Sequence, residues 1–182
     1  MNPSIFLSQI YEHVICSGPS NHLFSALRYA HYARHLKHSG GPFISSTGFC
    51  IQCPENVSIG KDTYFNRNVF LACVNVPESE IVIGNHCLFG PNCVIVAGGH
   101  DVRNAAIRTR AKDSIPGRII IEDDCWIGAN TTIRKDVCIG RGSVIGANSV
   151  ATHDLPAYVV AAGTPARVIR ERKQDVSVLC VR

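Results

Sequence analysis

The feature that most constrains this chain is an apolar residue that returns at every sixth position. The series runs Cys53, Ile59, Phe65 and Leu71, continues through Ile83, Phe89 and Ile95, and resumes as Ile121, Ile127, Ile133, Ile139 and Ile145. The next position is often glycine (Gly60, Gly84, Gly90, Gly128, Gly140, Gly146), and four residues past each anchor stands something small or β-branched, such as Thr63, Val69, Cys87, Cys93, Cys125, Thr131 and Ser143. A period of six is neither that of a helix nor that of a heptad. At about 3.3 Å of rise per residue, six residues make one short strand and one tight corner. Three such units close a triangular coil, and coils stack by parallel ladder pairing. The anchors then point into the prism, the small residues fill the crowded slots beside them, and glycine serves corners where other residues are costly.

The register predicts a mainly β chain: a parallel β-helix over residues 51–151, preceded by a segment 1–50 with a helix at about 21–38, and closed by residues 152–182. Asn21 is the helix's N-cap signal and Gly40-Gly41-Pro42 its stop. Two stretches break the repeat. Residues 73–80 skip an anchor at Pro77. Residues 97–118 carry no repeat at all and are rich in cations (His100, Arg103, Arg108, Arg110, Lys112, Arg118), which makes them an extruded loop of functional type.

Composition narrows the function classes. Hydrophobic residues make up 46% and charged residues 18%, enough apolar content for a packed core. The net charge of +4 comes without a dense basic stripe interleaved with aromatics, which argues against nucleic acid as a partner. The chain has no signal-peptide pattern and no apolar run long enough to cross a membrane. Its nine cysteines are an odd number without a paired framework. They read as reduced thiols of a cytoplasmic protein. Cys87, Cys93 and Cys125 fall in the small inward slot, and the lone Cys50-x-x-Cys53 is too little for zinc. No metal is expected.

The segments IVIGNHCLFGPNCVIVAGGHD, IIIEDDCWIGANTTI and DLPAYVVAAGTPARVIRE give the chain a resemblance to the hexapeptide-repeat acyltransferases. It is most similar to the maltose, galactoside and nodulation-type O-acetyltransferases, over roughly residues 59–172. The resemblance implies a left-handed β-helix, a homotrimer, and transfer of an acetyl group from acetyl-CoA to a hydroxyl of a sugar or glycan precursor. His100 then matches the catalytic histidine, a base that titrates near neutrality and can relay a proton from acceptor to departing thiolate. Asn68 matches the asparagine that orients the acceptor, and Glu78 an acidic acceptor contact. Trp126, Ala129 and Ala147 match the wall of the pantetheine channel. Thr152, His153, Arg167 and Arg170 match the nucleotide end of the cofactor, where arginine engages phosphate with a planar fork. A lysine is common in the family at position 153.

The first 50 residues depart from the maltose and galactoside pattern, which points to a broader glycan acceptor. Three alternatives carry their own signatures. An N-acetyltransferase of a nucleotide-linked amino sugar would use the same base. A γ-type carbonic anhydrase needs three histidines around zinc, and the repeat offers His86 and His100. A non-catalytic scaffold would not need His100, Asn68 and the cofactor-type tail together.

Overall fold

The computed structural model describes residues 14–100 and 114–172, and it shows a left-handed parallel β-helix. One face stacks β1 (His38–Ser39), β4 (Val57–Ile59), β7 (Glu80–Ile83), β11 (Arg118–Ile121) and β14 (Val137–Ile139) in that order. The second face stacks β2 (Ile44–Ser45), β5 (Tyr64–Phe65), β8 (Leu88–Phe89), β12 (Trp126–Ile127), β15 (Val144–Ile145) and β17 (Val159–Gly163), with β18 (Ala166–Glu171) folding back antiparallel on β17. The third stacks β3 (Cys50–Gln52), β6 (Phe70–Cys73), β9 (Val94–His100), β13 (Thr132–Arg134) and β16 (Val150–Ala151). A further strand, β10 (Ser114–Pro116), pairs antiparallel with the end of β9.

The anchors are in the interior, as the period demands. Ile59, Phe65, Leu71, Ile95, Ile121, Ile127, Ile133, Ile139 and Ile145 are fully buried, and Thr63, Cys93, Thr131 and Ser143 fill the small slots. Cys53 is the exception. It is half-buried, has φ 56°, and starts the 3-10 turn Pro54–Asn56. That turn adds two residues, so the true anchor of its coil is Ile51, and the spacing from Ile51 to Ile59 is eight.

The ladders begin at His38, ahead of the expected boundary at 51, and the helix α1 (His22–Tyr32) ends well before His38. The apolar test misses the first coil because its anchor positions hold Ser39 and Ser45. Phe43, Phe49 and Tyr32 fill the space instead, with Phe49 against Phe65 at 4.6 Å and Phe65 stacked on Phe89 at 4.9 Å. The top coil is an edge with unpaired backbone donors. The N-terminal segment covers them: Ser45 N donates to Ser25 Oγ (3.0 Å), Ile51 N to the Tyr32 hydroxyl (3.3 Å) and Thr47 N to Ser20 Oγ (3.0 Å). Asn21 caps α1 by accepting from Phe24 N at 2.9 Å. No helix among the described residues is long and apolar enough to cross a membrane.

Candidate active site

His100 is the last residue of β9. Up to Ala97 that strand belongs to the third face, pairing with β6 (Cys73 opposite Ala97). Beyond it the chain leaves the prism as a two-stranded arm: Gly98 opposite Pro116, Gly99 opposite Ile115, His100 opposite Ser114. The extruded loop of 97–118 is therefore rooted in a hairpin, and the His100 ring stands exposed at its far end. Arg103, Arg108, Arg110 and Lys112 lie outside the described residues. Lys135 flanks the arm, since a side chain at Gly99 would lie 3.8 Å from its Cδ.

Glu78 lies exposed on the turn joining β6 to β7, at the same corner of the prism as the root of the arm. Its neighbour Glu80 is engaged otherwise: its carboxylate accepts from Lys37 Nζ and Arg118 Nε, both at 2.7 Å. The hydrogen bond from Lys37, ahead of the charge of Arg118, holds that carboxyl below its ordinary range. Thr152 and His153 follow β16 and so occupy this corner too, the Thr152 hydroxyl lying 2.8 Å from His153 Nδ1.

Asn68 belongs to the opposite edge of the third face. It sits in the left-handed backbone region (φ 58°), as do Asn92, Asn130 and Asn148 at the same corner of successive coils. Their amides form a ladder. Asn68 Nδ2 donates to Asn92 Oδ1 (3.1 Å), Asn92 to Asn130 (3.0 Å) and Asn130 to Asn148 (3.1 Å). Asparagine suits this corner because it tolerates positive φ and can pair along the stack. Ala129 and Ala147 precede two members of this ladder. The coils come close there: a side chain at Gly128 would lie 2.5 Å from Ala147 N.

Trp126 projects outward from β12, half-exposed. The register aligns it with Ile44, Tyr64, Leu88, Val144 and Val160 down the outside of the second face. Ile44, Leu88 and Trp126 are 52%, 42% and 51% exposed, which makes this a continuous apolar stripe in contact with solvent. Arg167 and Arg170 lie exposed on β18 at the base of the same face, opposite Ala162 and Val160.

Within one chain the candidate residues thus form two groups. His100, Glu78, Thr152 and His153 lie at one edge of the third face; Asn68, Ala129 and Ala147 lie at its other edge, with Trp126, Arg167 and Arg170 beyond it. A strand of three or four residues, about 10 Å, separates the edges. Sequence spacing could not show this division, because the repeat assigns a corner only once the coils are closed. It also missed the asparagine ladder, whose signal (Asn or Asp at the second position after each glycine or its equivalent) was present. His86, the other repeat histidine, stands at a different corner, 3.8 Å from Asp62. Cys87 and Cys125 adjoin inside the prism, where their mutual hydrogen bond raises Cys87 and lowers Cys125; burial pushes Cys73 and Cys93 up to about 11.

Residues 118–153 match the family described as bacterial transferase hexapeptide (six repeats), and residues 80–106 that described as hexapeptide repeat of succinyl-transferase. The galactoside O-acetyltransferase of Escherichia coli is 40% identical over 117 residues, 64% of this chain and 55% of that enzyme. A chloramphenicol acetyltransferase of Agrobacterium fabrum is 30% identical over 148 residues, 68% of this chain and 71% of that protein. Among solved structures, a hexapeptide-repeat-containing acetyltransferase from Vibrio cholerae, complexed with acetyl coenzyme A, superposes with a TM-score of 0.75 at 31% identity, covering 95% of this chain and 91% of that one. The chain spans about half the length of the galactoside enzymes it matches, 55% and 54%.

Proposed function

This chain belongs to the hexapeptide-repeat acyltransferase family, and from that premise we propose that it transfers the acetyl group of acetyl-CoA to a hydroxyl of a sugar or glycan precursor. The observation that carries the reading is the exposed His100 imidazole at the end of the only hairpin arm that leaves the prism among the described residues. The relatives named above support it: one acts on galactosides, and another is seen with acetyl coenzyme A.

In the reaction, a ring nitrogen of His100 takes the proton of the acceptor hydroxyl as its oxygen attacks the thioester carbonyl. The tetrahedral intermediate collapses, the carbon–sulfur bond breaks, and the CoA thiolate takes the proton from the imidazolium. Acetyl passes directly, with no acyl-enzyme. Glu78 contacts the acceptor from the neighbouring turn. Asn68 orients it through the amide hydrogen that the ladder does not use. Trp126, Ala129 and Ala147 line the pantetheine arm, while Thr152, His153, Arg167 and Arg170 meet the nucleotide phosphates.

Within one copy His100 and Trp126 stand at opposite sides of the third face. A homotrimer resolves this by bringing His100 of one copy to Trp126 of the next. The apolar stripe on the second face supports that packing, because a cyclic interface must cover such a surface. Cys53 and Cys138, both half-buried and outside any disulfide among the described residues, suit a reducing cytoplasm.

Thiol release from acetyl-CoA across a panel of glycosides, run beside His100→Ala, tests the reading. The variant is expected to lose about 10²- to 10⁴-fold in kcat with the KM for acetyl-CoA unchanged. A variant at full rate, or a panel with no turnover, overturns it. Paired hydroxyl and amino forms of one sugar decide between oxygen and nitrogen as the acceptor.

A further inference from the structure

We propose that Ser79 is a positioning residue for His100, its hydroxyl tying the turn that carries Glu78 to the root of the arm that carries the histidine. The inference rests on the catalytic reading of His100 given above.

The root of the arm is Ala97, where β9 stops pairing with β6 and begins pairing with β10. Its carbonyl is the last one the prism holds, and it receives two donors. One is Gly117 N, at 3.1 Å, from the returning strand. The other is the hydroxyl of Ser79, a residue with no exposed surface. Ser79 Oγ in turn accepts from Val74 N at 2.9 Å, so a single oxygen links both ends of the 74–79 turn to the arm.

That turn is itself rigidly held. Val76 N donates to Val74 O (2.7 Å) and Ser79 N to Val76 O (3.1 Å), while Asn56 Nδ2 from the coil above donates to Val74 O (3.1 Å) and Val76 O (2.8 Å). The turn also packs flush on the arm, because a side chain at Gly98 would lie 2.3 Å from Val74 Cγ2. Glycine is required at that contact.

An isolated two-stranded hairpin is marginally stable in water, so the arm's direction is set at its root. His100 is three residues from Ala97, about 10 Å along the strand. A tilt of about 6° at the root therefore moves the ring by about 1 Å, a displacement that can cost about 10²-fold in rate. Glu78 and Ser79 are adjacent, so the same brace holds the acceptor contact and the base in one frame.

The test uses the full chain carrying Ser79→Ala, with Ser79→Thr as the variant that keeps the hydroxyl. Three readouts are taken: the ring NMR signal of His100 (assigned by its loss in His100→Ala), amide exchange, and turnover of acetyl-CoA with nitrophenyl galactosides. In Ser79→Ala the His100 signal shifts or broadens. Exchange at 98–100 and 114–117 rises about tenfold while the β4–β7–β11 ladder keeps its protection. The kcat falls about 10- to 100-fold with the KM for acetyl-CoA held within about twofold, and Ser79→Thr restores the signal. If Ser79→Ala does not fold, Asn56→Ala frees the turn from its other side and is expected to change the same signal. An unchanged His100 signal and unchanged exchange overturn the proposal, as does a purely thermal loss with kinetics intact. Full turnover in His100→Ala would instead sink the catalytic reading, leaving the brace to be judged by exchange alone.

Discussion

Replacing Asn92 isolates what the corner ladder is worth. Its side chain accepts from Asn68 Nδ2 at 3.1 Å and donates to Asn130 Oδ1 at 3.0 Å, and its backbone has φ 58°. Asn92→Ala removes both hydrogen bonds and puts alanine, which lacks asparagine's tolerance of the left-handed region, at φ 58°. At an exposed site the two bonds are worth about 0.5–1 kcal/mol each, and the backbone conformation adds about 1 kcal/mol. The sum is about 2–3 kcal/mol. Asn92→Gly loses the same bonds but is free to adopt positive φ, so it costs about 1–2 kcal/mol. Urea unfolding separates the two, and thermal midpoints should fall by about 2–4 °C per kcal/mol for a chain of this size. Each coil touches only its neighbours, so exchange should rise near residues 68 and 130 and not at β1. The reasoning fails if the alanine variant is as stable as the glycine variant, because the conformational part would then be absent. It fails also if both lie within about 0.3 kcal/mol of the parent, because the ladder would then contribute nothing.

Other consequences are as direct. Trp126→Ala should weaken subunit association about 30-fold or more by sedimentation, as for a central aromatic of an interface; unchanged association would remove the second face from the contact. Glu80→Gln should cost about 1 kcal/mol at pH 7, since its partners are half-exposed. The Glu80 carboxyl lies below its ordinary value when folded, so this contribution is present above the unfolded carboxylate pKa and vanishes as pH falls through the folded value. Denaturation curves of parent and variant should therefore converge in acid, and a gap that persists there would refute the ion-pair account. Cys73 and Cys93, pushed up to about 11 by burial, should resist an aromatic disulfide reagent at pH 7 until urea unfolds the chain. Rapid labelling of the native protein would contradict their place in the core.

Much of this molecule is legible in its sequence. A strand repeat of six leaves few geometries, so Ile59, Phe65 and their successors named the interior and Cys93 and Thr131 the small slots. The breaks at 73–80 and 97–118 marked the two places where the chain departs from the coil. What the repeat could not reveal was the first coil, because Ser39 and Ser45 occupy its anchor positions while Phe43 and Phe49, four residues past them, and Tyr32 of α1 fill the interior. Nor could it give Ser79 a role, since one serine in an irregular turn has no pattern to stand out from.

The deeper division is between period and closure. The order of residues along the chain determined which side chains face inward, because alternation and the corner spacing are local properties of the backbone. Only the closed prism decided which outward residues meet. It set His100, Glu78 and His153 at one edge and Asn68, Ala129 and Ala147 at the other, and it aligned Trp126 with Leu88 and Val144 in a stripe. These neighbours are a full coil apart in sequence. Their proximity exists only once the ladders between coils have formed.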